Sequence, residues 1–288
     1  MKSNDNSSPN TERDLIQITE GTPAFDGDGV RLTRLIGGSD LPLVDPFLLL
    51  DCFSSDDPKD YIRGFPNHPH RGFETVTYML AGRMHHKDST GHEDVIGPGD
   101  VQWMTAGRGI VHSELPEQSE GLMKGFQLWV NLPAREKMTA PTYRALRDTQ
   151  IPVELLKHGG SIKVISGTTD AGTVGPIQIE TVTPTFFDVS LGMDEVFTQK
   201  ISTSHLGFIY VIEGHVVAGP QAKELSKGSL GVLGPGDHVF LKSRASDTRL
   251  LLVAGRKIGE PIARHGPFVM NTQEEIRQAI LDFQAGRF

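Results

Sequence analysis

Pro66-Asn67-His68-Pro69-His70-Arg71-Gly72-Phe73-Glu74 and, further along, Gly107-Arg108-Gly109-Ile110-Val111-His112-Ser113-Glu114 decide the reading of this chain. Each segment carries a pair of metal-ligating side chains at spacing i, i+2: His68 with His70, and His112 with Glu114. On an extended strand, side chains two apart leave from one face, so each pair can aim both members at one point. Three imidazoles and a carboxylate converging there suit a divalent first-row metal such as iron, manganese, nickel or copper. Glu74 shares that face on an unbroken strand, so the pattern offers five candidates for four places. A bulge near Gly72 would turn Glu74 away. The plainer reading is two wet strand faces carrying polar residues. Against it, Pro66, Pro69 and Gly72 bracket the first pair with rigid turn chemistry that a free surface does not need. The expectation is a β-barrel built around this site.

The flanks read as β throughout. Pro46-Phe47-Leu48-Leu49-Leu50-Asp51 is a continuous apolar run, as expected of a strand buried on both faces. Thr75-Val76-Thr77-Tyr78-Met79-Leu80-Ala81-Gly82 is β-branched and aromatic and ends at a glycine, and Phe126-Gln127-Leu128-Trp129-Val130-Asn131-Leu132 forms another strand. Trp103 and Met104 read as barrel filling, and Cys52 as a packed thiol. Thr272 to Phe288 has helical spacing, with Ile276, Ile280 and Phe283 on one stripe and Thr272 as N-cap ahead of Glu275.

The second half echoes the first. Tyr78-Met79-Leu80-Ala81-Gly82 returns as Tyr210-Val211-Ile212-Glu213-Gly214, and Val95-Ile96-Gly97-Pro98-Gly99-Asp100 as Val232-Leu233-Gly234-Pro235-Gly236-Asp237. Two echoes in one order point to a duplicated unit. Carried forward at those offsets, His68, His70 and Glu74 meet Lys200, Ser202 and Leu206, while His112 and Glu114 meet Arg249 and Leu251. The expected division is a disordered tail over 1–13, a metal-binding unit over 14–140, and a ligand-free unit over 141–288 that ends in the helix. Only the first unit is expected to hold metal. The remaining histidines (His85, His86, His92, His158, His205, His215, His238 and His265) mostly sit beside glycines or charges and read as solvated. His86 and His92 are held in reserve as pocket residues or supports behind the ligands.

Bulk properties exclude several classes. The chain has 288 residues, 37% hydrophobic and 22% charged, with 32 glycines and 18 prolines. That is an ordinary globular composition favouring short strands and tight turns. A net charge of −8 argues against direct nucleic-acid binding, which leans on Lys and Arg. No apolar run is long enough to span a bilayer, and the polar N-terminus lacks a signal-peptide core. The single cysteine fits a reducing compartment, so the expected location is cytoplasmic, with a nuclear role if the source is eukaryotic.

His68-Pro69-His70-Arg71-Gly72-Phe73-Glu74, Gly82, Gly99 and the Gly107-to-His112 segment resemble the two motifs of the cupin superfamily. Asp45-Pro46-Phe47-Leu48, Gly99-Asp100-Val101-Gln102-Trp103-Met104-Thr105-Ala106, Leu128-Trp129-Val130-Asn131-Leu132 and Gly266-Pro267-Phe268-Val269-Met270-Asn271-Thr272 narrow the resemblance to the pirin family, from about residue 14 onward. The resemblance implies an all-β bicupin, two stacked jelly-roll-like barrels with a short C-terminal helix and iron in the N-terminal one. It places the ligands on His68, His70, His112 and Glu114 and leaves Glu74 out. The implied ion is one Fe(II) per chain, with manganese, nickel, copper or zinc as substitutes. Cys52 departs from the family's usual acidic residue without touching the metal motif.

Two functions follow from that resemblance. One is a quercetin 2,3-dioxygenase-like enzyme that opens a flavonol ring with O2, with Glu114 as ligand and proton acceptor. The other is a non-enzymatic iron-binding regulator of transcription factors or metabolic enzymes, working through a protein partner.

Overall fold

The structure, a computed structural model, describes residues 11–288, and most of the expected tail lies outside the described residues. Residues 11–13 do not fray. The Thr11 amide donates to Asp237 Oδ1 at 2.7 Å, and buried Arg13 donates to the carbonyls of Gly234 and Ser202.

Strict alternation in the central strands sets the architecture. On Phe47–Ser55, Leu50 and Cys52 point one way while Leu49, Asp51 and Phe53 point the other. Leu50 and Cys52 join Val76, Tyr78, Phe126 and Leu128 in an apolar layer that meets Phe186, Phe208, Tyr210 and Val253 from the second half. This layer glues two barrels face to face. Cys52 lies inside it, free and buried, with burial pushing its thiol pKa up.

Each half holds one seven-stranded and one four-stranded sheet, and every neighbouring pair runs antiparallel. The large sheet of the first barrel runs in the order Thr142–Leu146, Val101–Thr105, Phe73–Ala81, Met123–Asn131, Phe47–Ser55, Val30–Ile36, Thr22–Asp26. Its counterpart runs Leu15–Thr19, Leu230–Leu233, His205–Glu213, Thr248–Arg256, Thr185–Leu191, Ser161–Ser166, Val153–Leu155. The small sheets are Phe65–His70, Ile110–Pro116, Met84–Asp88, Glu93–Ile96, and Val196–Lys200, His238–Ser243, His215–Ala218, Lys223–Ser226. The orders match strand for strand. One edge is exchanged: Leu15–Thr19 closes the second barrel, and Thr142–Leu146 closes the first.

The repeat is real, but one echo sits out of register. Gly97-Pro98-Gly99-Asp100 precedes Val101–Thr105, whereas Gly234-Pro235-Gly236-Asp237 follows Leu230–Leu233. The true counterpart of the first turn is Ser226-Lys227-Gly228-Ser229, where Gly228 has φ +86° against +85° at Gly99. A short Gly-Pro turn recurs wherever the chain reverses, so its composition cannot fix a register. The ladders can. His68 faces His112 where Phe197 faces Leu241, and His70 faces Ile110 where Gln199 faces Val239. The second-barrel positions matching the ligand pairs are therefore Phe197, Gln199, Leu241 and Ser243, not Lys200, Ser202, Arg249 and Leu251. Leu206 keeps its place opposite Glu74.

The C-terminal segment returns to the first barrel. The hairpin Ala263–His265 and Phe268–Met270 lies beside the first histidine loop, where the Val269 amide donates to the Arg71 carbonyl at 3.0 Å. Gly72 is required there: its φ is +91°, and an added Cβ would stand 1.9 Å from the Val269 carbonyl oxygen. The helix Gln273–Gln284 begins with the expected Thr272/Glu275 capping box and buries Ile276 and Ala279 against the hairpin.

Candidate metal centre

Strands Phe65–His70 and Ile110–Pro116 lie side by side and bring three imidazoles together. Ring centroids are 4.7 Å apart for His68–His70, 4.3 Å for His68–His112 and 4.9 Å for His70–His112. His68 Nδ1 lies 2.8 Å from the Pro66 carbonyl. A carbonyl only accepts, so Nδ1 carries the proton and Nε2 keeps its lone pair. That Nε2 stands 3.0 Å from His70 Nε2, which matches the edge between neighbouring ligands at metal–nitrogen bonds of about 2.1 Å. His112 Nε2 is buried without a hydrogen-bond partner. Burial, reinforced by the neighbouring imidazoles, holds the pKa values of His70 and His112 well below the ordinary range. Both rings are therefore neutral at physiological pH, as ligands must be. An orphaned nitrogen inside a cluster of neutral rings is what a cation would satisfy.

Glu114 stands slightly apart. The pairing with Phe65–His70 slips between His112 and Glu114, and the carboxylate meets side chains of strands Phe73–Ala81 and Val101–Thr105. Its Oε1 accepts from Thr77 Oγ1 at 2.8 Å and from Gln102 Nε2 at 3.1 Å. The ligating atoms of His68, His70 and His112 lie within 4.8 Å of one another, and those of His86, His112 and Glu114 form a second such group. Three of the four expected residues thus cluster directly, and Glu114 joins through His112. Glu74 belongs to neither group. The strand breaks at Gly72 instead of bulging, and Glu74 accepts from Trp103 Nε1 at 3.1 Å and Thr105 Oγ1 at 2.7 Å.

The reading of most other histidines as solvated fails for two of them. His86 is 0% exposed and His205 is buried. His86 stacks on Tyr143 with centroids 4.5 Å apart, and His92 lies on the same ring. The sequence shows only His85-His86 beside a lysine, with nothing to say which ring turns inward.

A cavity of about 600 Å³ opens beside the cluster, lined by Leu49, Phe53, Phe65, Trp129 and Pro267 together with His68, His70 and Glu114. Trp129 sets its ring 5.2 Å from His70 and carries Arg264 at 4.8 Å. A row of polar residues crosses the barrel wall on ladder-paired positions: Arg34, Asp51, Gln127, Thr77 and Gln102. Arg34 grips Asp51 bidentately at 2.9 and 2.7 Å. Burial pushes the Asp51 carboxyl pKa up, and the guanidinium opposes that rise. Each row member was visible as a polar residue inside an apolar strand, yet only the register shows that they share one wall.

Fold and site together define a bicupin whose N-terminal barrel carries a histidine-lined candidate metal pocket. The sequence matches the Pirin family over residues 29–130 and the Pirin C-terminal cupin domain over 186–288. A pirin-like protein of Caulobacter vibrioides is 53% identical, covering 96% of this chain and 99% of that protein. Human pirin is 45% identical over 90% of this chain and 88% of its own length. A solved quercetin 2,3-dioxygenase from Acinetobacter baumannii superposes with a TM-score of 0.88 at 34% identity, covering 96% of this chain and 99% of that one. This chain belongs to the pirin family.

Proposed function

We propose that the first barrel is a metal-dependent dioxygenase site that opens a flavonol-like ring with O2, with Fe(II) held by His68, His70, His112 and Glu114. One observation carries this reading: His68, His70 and the Glu114 carboxylate line a cavity of about 600 Å³ together with Leu49, Phe53, Phe65 and Trp129, and His112 packs against both histidines. A cavity of that size suits a small flat ligand. When bound, a divalent ion lowers the pKa of a coordinated hydroxyl and brings an electron-rich ring beside dioxygen.

The protein's own side chains do the rest. Trp129 and Phe53 offer apolar surface to an aromatic plane and keep water from the reacting face. Glu114 receives the hydroxyl proton. Thr77 and Gln102 both donate to its Oε1, so they orient the carboxylate and leave Oε2 free of their hydrogen bonds. Among the described residues no helix is long and apolar enough to cross a membrane. A cytoplasmic setting fits the free, buried Cys52.

The regulatory reading draws on a different observation. Arg71, next to His70, donates through Nη1 to Asp282 of the C-terminal helix at 2.8 Å and through Nε to the Arg108 carbonyl at 2.5 Å, which ties the metal loop to the surface. Aerobic incubation with quercetin separates the two. The enzyme reading expects metal-dependent bleaching of the flavonol absorbance with release of carbon monoxide. No turnover with iron, nickel, copper or manganese would overturn it in favour of the regulator.

A further inference from the structure

Behind His112 lies a second, wholly buried layer. His86 Nε2 is 3.1 Å from Asp88 Oδ2, and both side chains are 0% exposed. A carboxylate only accepts, so His86 carries its proton on Nε2 and a lone pair on Nδ1. That Nδ1 stands 3.5 Å from His112 Nδ1, a long contact in which His112 must be the donor. A neutral His112 that donates through Nδ1 has its lone pair on Nε2. This is the nitrogen left without a partner among the described residues. Tyr143 stacks on His86 at an interplanar angle of 22° and holds the ring plane.

We propose that Asp88 and His86 are positioning residues that fix the tautomer of His112, keeping Nε2 deprotonated and presented to the metal. The second metal-like grouping of His86, His112 and Glu114 is then a hydrogen-bonded support and not an alternative ion site. Partners of this kind behind a ligand typically alter metal affinity by about 10–100-fold. The second barrel lacks the arrangement, since the ladder places Val216 and Ala218 where His86 and Asp88 stand. The inference rests on the metal reading of the site and not on the reaction it performs.

One substitution tests it almost atom for atom. Asp88 Oδ1 accepts from the Thr90 amide at 2.8 Å, Thr90 Oγ1 at 2.6 Å and the His92 amide at 3.2 Å. In Asp88→Asn those three donors keep the side-chain oxygen, so the new NH2 group faces His86 Nε2. His86 must then move its proton to Nδ1, where it confronts His112 Nδ1–H. His112 answers by protonating Nε2, the ligand atom. The fold keeps its turn, and the proton pattern inverts.

The experiment uses the full chain labelled with ¹⁵N, with zinc as a diamagnetic probe. In the wild type, long-range ¹H–¹⁵N spectra should show His112 protonated on Nδ1 and metal-shifted on Nε2, and His86 protonated on Nε2. Asp88→Asn should bind zinc about 10–100-fold more weakly, with His112 carrying its proton on Nε2 in the metal-free protein. His86→Phe, which removes the acceptor, should weaken zinc by a similar factor. Wild-type zinc affinity in Asp88→Asn, or zinc found on His86 or on His112 Nδ1, overturns the proposal. Failure of the wild type to bind zinc at all would instead sink the metal centre itself.

Discussion

The two barrels share a strand order and differ in what fills them. Across the first, the ladder reads Arg34, Asp51, Gln127, Thr77, Gln102. Across the second, the same rungs read Val164, Phe187, Leu252, Ile209, Gly231. The second interior is a close-packed apolar cluster that also takes in Phe197, Val216, Val239 and Leu241. One copy of the backbone therefore shows what the fold needs, and the other what has been added to it. Buried polar side chains cost stability unless each is paired. Their concentration on one wall of one barrel marks that wall as the working one.

The sharpest break of the contrast is ligand removal. His70→Ala or His112→Ala should reduce bound metal from about one per chain to none, read by elemental analysis after iron loading. Gln199→Ala, at the matching position of the second barrel, should leave metal content unchanged. Retained metal in either first-barrel variant would mean that the clusters have been misread.

Next in size are the interiors. Phe187→Ala opens a hole in the apolar cluster and should destabilise the protein by about 3–5 kcal/mol. At the matching rung, Asp51→Ala takes the bidentate partner from a half-buried Arg34 that keeps Asp26 at 2.8 Å, and should cost about 1–3 kcal/mol. The double variant Arg34→Met/Asp51→Leu should recover most of that loss while impairing turnover. Urea denaturation of all three decides whether the polar row serves stability or function.

Acid should act mainly on the first barrel. Burial, then neighbouring imidazoles, hold His70 and His112 far below their ordinary pKa of 6.5. The unfolded chain therefore takes up protons that the folded chain refuses. Their contribution is complete above pH 6.5 and is lost as pH falls below it, by up to about 1.4 kcal/mol per pH unit for each ring. Melting of the metal-free protein between pH 7 and pH 5 should show this slope, and His112→Ala should flatten it. The smallest effect lies at the periphery: Thr272→Ala removes a helix cap and should cost about 1 kcal/mol, seen as a small drop in Tm.

Much of this was legible in the chain. The i, i+2 spacing of His68 and His70 placed both rings in one cluster because a strand has a period of two, and the Thr272/Glu275 box announced the helix for equally local reasons. Long-range register was not legible. It put the second Gly-Pro-Gly-Asp turn one strand too late and hid the buried place of His86. Whether Asp51 meets Arg34 or water depends on which strand lies alongside, and no local pattern carries that information.

The exchanged edge strands give the duplication a topological lock. A chain cut near residue 140 would send each rim to the wrong fragment, so neither piece could close by itself, and recovery would require the two to meet in solution. Each barrel borrows its rim strand from the other side of that cut.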